Sequence, residues 1–434
     1  SGSATTHIRR RYINYRRTNI MASEKNTIMG WVDRRLPVTE NLERHLTKHP
    51  VPKKVNFFYL FGALLMVVFM IQVVTGIWLM MFYTNTEEGA FASVEYIMRD
   101  VEYGWLMRYM HSTGASAFFF LMYFHMFRGL LYGSYQKPKE LVWLFGCFLL
   151  FLLMAEGFLG YVLPWGQMSY WAANVILSLF GAIPFIGPDL QVWIQGDFVL
   201  SGITLSRFFA LHVVVVPLLM IALVVFHIFA LHEVGAGNPE GVDIEKYRDK
   251  KGMPLDGAPF HPYKTFGALP AIGVFFIVFF AIVFFAPTGG GYFIEKPNFE
   301  EANFLKTPEH IAPVWYYAPF YSILRAVTFG IPFLGITSKF LGFIIFAASI
   351  AILFVVPWLD RSNVQSIRYK GIYSKIAMIL FAASFITLGY LGTKPVNELR
   401  TLIAQICTVL YFAPFILMPI YTKYEKTLEV PDRL

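Results

Sequence analysis

Eight long apolar stretches, at 55–82, 109–127, 141–163, 208–231, 265–286, 340–359, 376–393 and 401–422, constrain this chain more than any other feature. Each is close to the roughly 20 residues an α-helix needs to cross a bilayer's hydrocarbon core. The second, YMHSTGASAFFFLMYFHMF, has 19 residues, which at 1.5 Å per residue reach about 28 Å. Unbroken strands of this length are unusual. The sequence therefore predicts an all-α, polytopic membrane protein with eight transmembrane helices. Composition agrees: 56% hydrophobic and 15% charged residues, against about 45–50% and about 25% in soluble domains. Three segments follow: an extension at 1–30, a four-helix domain at 31–240, and a C-terminal domain with four helices at 241–434.

Orientation is read from the cations. With the N-terminus on the cytoplasmic side, 27 of the 36 Lys and Arg fall on that face, as the positive-inside rule requires. The net charge of +8 is a consequence of that asymmetry. A basic run such as HIRRRYINYRR could point to nucleic acid, but beside eight spans it points to anionic lipid, and no nucleic-acid partner is expected. Residues 1–20, opening SGS, resemble an added leader and are set aside from fold reasoning. Cys147 and Cys407 are far apart within apolar spans and imply neither a disulfide framework nor covalent heme attachment.

The chemistry lies in four histidines. His111 and His125 stand in the second span, His212 and His227 in the fourth. These two spans run in the same direction, so His111 is expected to face His212 and His125 to face His227. Fourteen residues rise about 21 Å and turn nearly four times, which leaves both histidines of the second span on one face. Buried histidines can also be satisfied core residues or a proton relay; matched pairs point instead to two bis-histidine heme sites. Such sites leave no open position for oxygen and carry electrons. Gly62 and Gly76 in the first span, and Gly146 and Gly160 in the third, repeat the interval of fourteen. Glycine at each level lets a flat macrocycle approach the backbone, and Gly114, one turn after His111, is expected to do the same. Arg108 and Arg128 bracket the pair as partners for heme propionates or as interfacial anchors.

The stretches GWLMRYMHSTGAS, YGSY, GYVLPWGQMSYW, RFFALH, LHEVG and PFHPY together resemble the cytochrome b family, the heme-bearing core of ubiquinol–cytochrome c reductase, from about Trp31 onward. The single chain resembles the respiratory form in a bacterial inner membrane. The resemblance implies two heme b groups in the N-terminal four-helix bundle and ubiquinol oxidation at the outer face. One electron goes to a Rieske iron–sulfur protein and one crosses the hemes to a quinone at the cytoplasmic face. His232 and Asp256 match the family's inner quinone residues; a histidine and a carboxylate can hydrogen-bond quinone carbonyls and move protons. A membrane-anchored c-type cytochrome and a homodimeric complex are implied likewise. Two alternatives compete with this reading. A secondary transporter needs an internal repeat or broken helices, which are not found. A heme-bearing anchor of another oxidoreductase needs no LPWGQMSYW or outer loop.

The chain departs from the family at that loop. Many relatives have Pro-Glu-Trp-Tyr where this sequence has Pro313, Val314, Trp315 and Tyr316, and valine accepts no proton. Glu156, unpaired within LLMAEGFLGY, is the expected replacement, its pKa raised by desolvation. Glu309 is the second candidate, and Tyr321 matches a tyrosine close to the quinol. His212 and His227 are fifteen apart, an extra ~100° of rotation, so a π-bulge or kink is expected near Pro217. Ala172 stands where many relatives have glycine, and weaker strobilurin-type inhibition is expected. Spans six to eight read as lipid-facing structure and subunit contact.

Overall fold

The structure is a computed structural model and describes residues 27–43, 49–250 and 252–434. The basic run and leader expected at 1–20 lie outside the described residues. Among the described residues, eight helices are long and apolar enough to cross a membrane: α1 (Phe57–Met80), α2 (Gly104–Leu131), α3 (Glu140–Val162), α4 (Gly202–Val234), α5 (Phe260–Phe285), α6 (Ser338–Leu359), α7 (Ile372–Gly392) and α8 (Glu398–Ile416). Their order and number are those read from the sequence. Helix extends furthest beyond the expected bounds at α2 and α4, where it continues past Arg108, Arg128, Arg207 and His232. Long cationic side chains bury their stems along apolar surface, so a charge does not end a spanning helix.

The chain divides into two units. One holds the described residues up to Lys53 together with Glu245–Gly267, and the other holds Lys54–Ile244 and Ala268–Leu434. In the smaller unit, β1 (Pro50–Pro52) pairs antiparallel with β2 (Gly257–Pro259), Val51 opposite Ala258. Lys53 N–H donates to the Asp256 carbonyl at 2.9 Å and the Tyr263 hydroxyl to the Lys53 carbonyl at 2.6 Å, closing this short ribbon.

In the larger unit α1 packs along α2 and α3 along α4, and the short helix Ala318–Ala326 sits against α6, α7 and α8. Side-chain caps start two of the spans: Thr337 accepts from Phe340 N–H, and Asn397 from Arg400 N–H. Phe119, Leu150, Leu177, Leu205, Phe320, Leu388 and Tyr411 are fully enclosed. Spans six to eight, expected to be lipid-facing structure and subunit contact, leave most of each apolar stretch unburied within the chain. The spans with fewest buried residues are α4 and α5, where 11% and 17% of the most apolar stretch is buried, whereas α6 to α8 reach 22–28%. Phe381 of α7 and Tyr411 and Phe415 of α8 form an aromatic core together, so these helices are packed scaffold as well as lipid-facing surface.

Pro217 and the fifteen-residue interval act as expected. Residues Leu211–Val215 form a π-helical turn containing His212, and regular α-helix resumes at Val216. The wider turn takes up the extra residue, so His212 and His227 present to the same side.

Candidate functional site

Both histidine pairs assemble. The His111 and His212 ring centroids are 6.2 Å apart, and those of His125 and His227 are 6.4 Å apart. Two imidazoles on opposite sides of a metal, with ~2 Å metal–nitrogen bonds, place their centroids at about this distance. A Cβ built on Gly76 would lie 3.2 Å from His111 Cε1, and on Gly160 2.4 Å from His212 Cε1. At the other level the corresponding distances are 3.3 Å from Gly62 to His125 and 3.5 Å from Gly146 to His227. The shared interval of fourteen is thus a glycine opposite each histidine. Gly114 differs: its open side is filled by the Gln72 amide, 2.7 Å from a built Cβ, and Gln72 Nε2 donates to the His111 carbonyl at 3.0 Å. It makes room for a side chain of α1, where the sequence pointed to a macrocycle.

The hydrogen bonds set the tautomers of the first pair. The Thr75 hydroxyl donates to the Ile71 carbonyl at 2.6 Å, so its oxygen accepts from His111 Nδ1 at 2.9 Å. His212 Nδ1 meets two acceptors on Glu156, the carbonyl at 3.1 Å and Oε1 at 3.0 Å. Both Nδ1 atoms therefore carry the proton and both Nε2 lone pairs remain for a metal, with second partners of the kind that orient ligating histidines. At the other pair Arg128 lies on His125, Nη2 3.2 Å from Nδ1, with Nη1 3.1 Å from Ser134 Oγ and the guanidinium over the Tyr59 ring. Arg108 precedes His111 by one turn of α2 and interacts with it electrostatically.

Glu156, read from the sequence as unpaired, has a partner on one side. Its Oε1 takes the His212 contact, while Oε2 is buried without a hydrogen bond. The geometry makes it a group that holds the His212 ring.

The Pro313–Tyr316 loop folds against α2 and α3. Tyr316 stacks on Phe119 at 3.9 Å and 5°, and its carbonyl accepts from the Tyr123 hydroxyl. Trp315 Nε1 donates to Ser116 Oγ at 3.2 Å and the Tyr317 hydroxyl to the Met154 carbonyl at 2.7 Å. Gly157 admits this loop, because a Cβ there would come within 2.6 Å of the Tyr317 hydroxyl. Val314 is buried and offers no proton acceptor. The Tyr321 hydroxyl donates to the Ile311 carbonyl at 3.3 Å under the Arg325 guanidinium, and Glu309 is exposed. Ala172 is buried on the helix Gln167–Phe180. His232 stands in the last turn of α4, and Asp256 is buried beside β2 in the smaller unit.

One carboxylate escaped the sequence reading. The Tyr161 hydroxyl, near the end of α3, donates to Glu295 Oε2 at 2.8 Å. Burial pushes the Glu295 carboxyl up to about 7, against the lowering effect of the Tyr161 bond. Its loop is fastened to the LPWGQMSYW segment by Asn298 Oδ1, which accepts from Ser169 N–H and Oγ at 2.9 Å each. The only signal in the sequence was the tyrosine within a quoted stretch; nothing there joins it to a residue 134 positions later.

Comparison with known proteins decides the family. The family described as Cytochrome b/b6/petB matches residues 46–235, and Cytochrome b(C-terminal)/b6/petD matches 301–412. Cytochrome b of Allochromatium vinosum is 52% identical over 95% of this chain and 100% of that protein. The chain belongs to the cytochrome b family. Cytochrome b of Rhodospirillum rubrum is 44% identical over 94% of this chain and 95% of its own length. A solved structure, "Hyperthermophilic respiratory Complex III", superposes with a TM-score of 0.82 at 35% identity, over 92% of this chain and 99% of that one. A family member of this kind is a multi-pass, heme-binding electron-transfer subunit of a complex III oxidoreductase, and the transporter alternative falls away.

Proposed function

We propose that this chain oxidises ubiquinol at the outer face of a bacterial inner membrane and delivers one of the two electrons to a quinone at the cytoplasmic face. The observation that carries this reading is the stacking of two histidine pairs, 6.2 and 6.4 Å between rings, on the same two helices. Two heme b groups fit these residues: His111 with His212 and His125 with His227 would be the axial ligands, and Gly62, Gly76, Gly146 and Gly160 keep the backbone clear. When bound, they supply one-electron carriers at two depths of the membrane. Thr75 and Glu156 hold the ligating rings of the first pair with Nε2 exposed to the metal. Arg108 and Arg128 supply positive charge at the two levels.

Pro313, Trp315, Tyr316 and Tyr321 would bound the outer quinol pocket, and His232 and Asp256 would each serve quinone reduction at the cytoplasmic face as polar, proton-bearing contacts. A Rieske iron–sulfur protein would take the first electron. A membrane-anchored c-type cytochrome would receive it, in a homodimeric complex with its N-terminus cytoplasmic. The Bradyrhizobium diazoefficiens relative called Cytochrome b/c1, which this chain matches at 40% identity over 57% of that protein's length, supports the c-type partner.

The test is a redox-titrated, reduced-minus-oxidised optical spectrum of the purified complex. Two b-type signals are expected, one removed by His111→Ala or His212→Ala and the other by His125→Ala or His227→Ala. Equal loss of both signals in all four variants would refute the assignment by pairs.

A further inference from the structure

Quinol oxidation needs a base on the outer side, and position 314 has none. Glu295 lies in the stretch GGGYFIEKPNF, which follows α5 and precedes the Val314 loop. It is half-buried and hydrogen-bonded by Tyr161, and both groups interact electrostatically with Tyr316, two residues after Val314. The groups that face it are Tyr161 from α3 and Tyr316 from the loop; Lys296, its exposed chain neighbour, carries the nearest fixed charge in sequence. The Tyr161 end is fixed as well, since its carbonyl accepts from Ser169 Oγ at 2.6 Å and Ser169 in turn grips Asn298. Glu156, by contrast, has Oε1 on the His212 ring.

Resting on the reading of this loop as a quinol site, we propose that Glu295, reached through the Tyr161 hydroxyl, is the proton acceptor that replaces a carboxylate at position 314. Quinol loses two protons and two electrons in becoming quinone. One electron and one proton leave toward the Rieske iron–sulfur protein. The second electron passes inward to the His111–His212 level. The second proton moves from the quinol hydroxyl onto the Tyr161 oxygen while Tyr161 passes its own proton to Glu295 Oε2. Tyr161 ends neutral, and Glu295 ends as a carboxylic acid that releases its proton to the outer aqueous phase. A carboxyl raised toward neutrality suits this exchange, because it can both take and release a proton at working pH.

The experiment measures reduction of cytochrome c by a short-tailed ubiquinol in the complete purified complex, between about pH 5.5 and 8.5. In the wild type the rate should fall as pH drops through about 7, where Glu295 becomes protonated. Glu295→Gln should lower the plateau rate about 100-fold or more, at the lower end of the range for loss of a general base. It should also remove the acid limb while leaving both heme signals intact. Tyr161→Phe should fall to a similar level, and the double variant should be little worse than either single one. Glu295→Asp should restore part of the rate with a displaced limb. Glu295→Gln with wild-type rate and pH profile overturns the proposal. Should that variant fail to assemble, an unchanged pH profile in Glu295→Asp overturns it. Failure of the quinol-site reading is seen separately, as a heme-loaded wild-type complex that does not oxidise ubiquinol at any pH.

Discussion

His212 is constrained by three separate features of the chain. A π-helical turn aims it, Glu156 accepts its Nδ1 proton, and Gly160 leaves it room. An anionic acceptor on Nδ1 makes an imidazole a more basic ligand, which favours the oxidised metal. Glu156→Gln is therefore expected to raise the midpoint potential of the heme at the His111–His212 level and leave the other unchanged, as read by redox titration. An unchanged midpoint combined with lost quinol oxidation would return the acceptor role to Glu156. Gly160→Ala must move the ring, since its Cβ would lie 2.4 Å from His212 Cε1. Overpacking of this kind costs about 1–3 kcal/mol. Reduced occupancy of that one heme, quantified against the other in the same spectrum, is the expected outcome. Glu156 also marks what the sequence concealed. Its depth and charge were readable, but its partner is 56 residues away and aligned only by the π-turn.

The helices and their joints tell a related story. The four-histidine pattern was legible because the 3.6-residue period turns a fourteen-residue interval into a common face, and the fifteen-residue exception announced its own correction beside Pro217. The joints were not legible, because they are made between distant loops. Tyr135 and Gln136, after α2, each donate at 2.7 Å to Asp360 Oδ2 at the end of α6, and Lys370 bonds the same oxygen. The Asp360 side chain is fully buried and that of Lys370 nearly so. Burial pulls the Asp360 carboxyl upward, but the Lys370 charge and its hydrogen bonds, with those of Tyr135 and Ser362, hold it below its ordinary 3.8. A depressed carboxyl gives stability that is complete above 3.8 and lost as pH falls through the lower folded value. Acid unfolding is therefore expected to include this joint below about pH 4. Lys370→Met leaves a buried carboxylate without its cation and should cost about 3–5 kcal/mol, while Asp360→Leu combined with Lys370→Met should recover much of the loss. Thermal unfolding of the detergent-solubilised complex distinguishes the single from the double variant.

Across the whole molecule, an even number of spans returns the C-terminus to the side of the N-terminus, and the proposal that this side is cytoplasmic rests on the cation asymmetry. With 27 of 36 Lys and Arg on one face, insertion with that face cytoplasmic is favoured. The loops joining α1 to α2, α3 to α4, α5 to α6 and α7 to α8 then lie outside. The Pro313–Tyr316 loop, Glu295 and the LPWGQMSYW segment all belong to this group, whereas His232 stands in the last turn of α4, at that helix's other end. The sign of the energy conversion depends on this arrangement. A proton taken by Glu295 adds to the membrane gradient only if it leaves on the outer face, and an electron moving from the His111 level to the His125 level is worth roughly 2.3 kcal/mol per 100 mV for a full crossing. Single cysteines placed at exposed Glu309 and at exposed Lys423, in a background with Cys147 and Cys407 replaced, report the orientation directly. In intact cells stripped of their outer membrane, a membrane-impermeant maleimide should label position 309 and spare position 423, and inverted vesicles should reverse the pattern. Labelling at 423 in the intact cells would place the quinol loop in the cytoplasm, where a proton released by Glu295 would not add to the gradient.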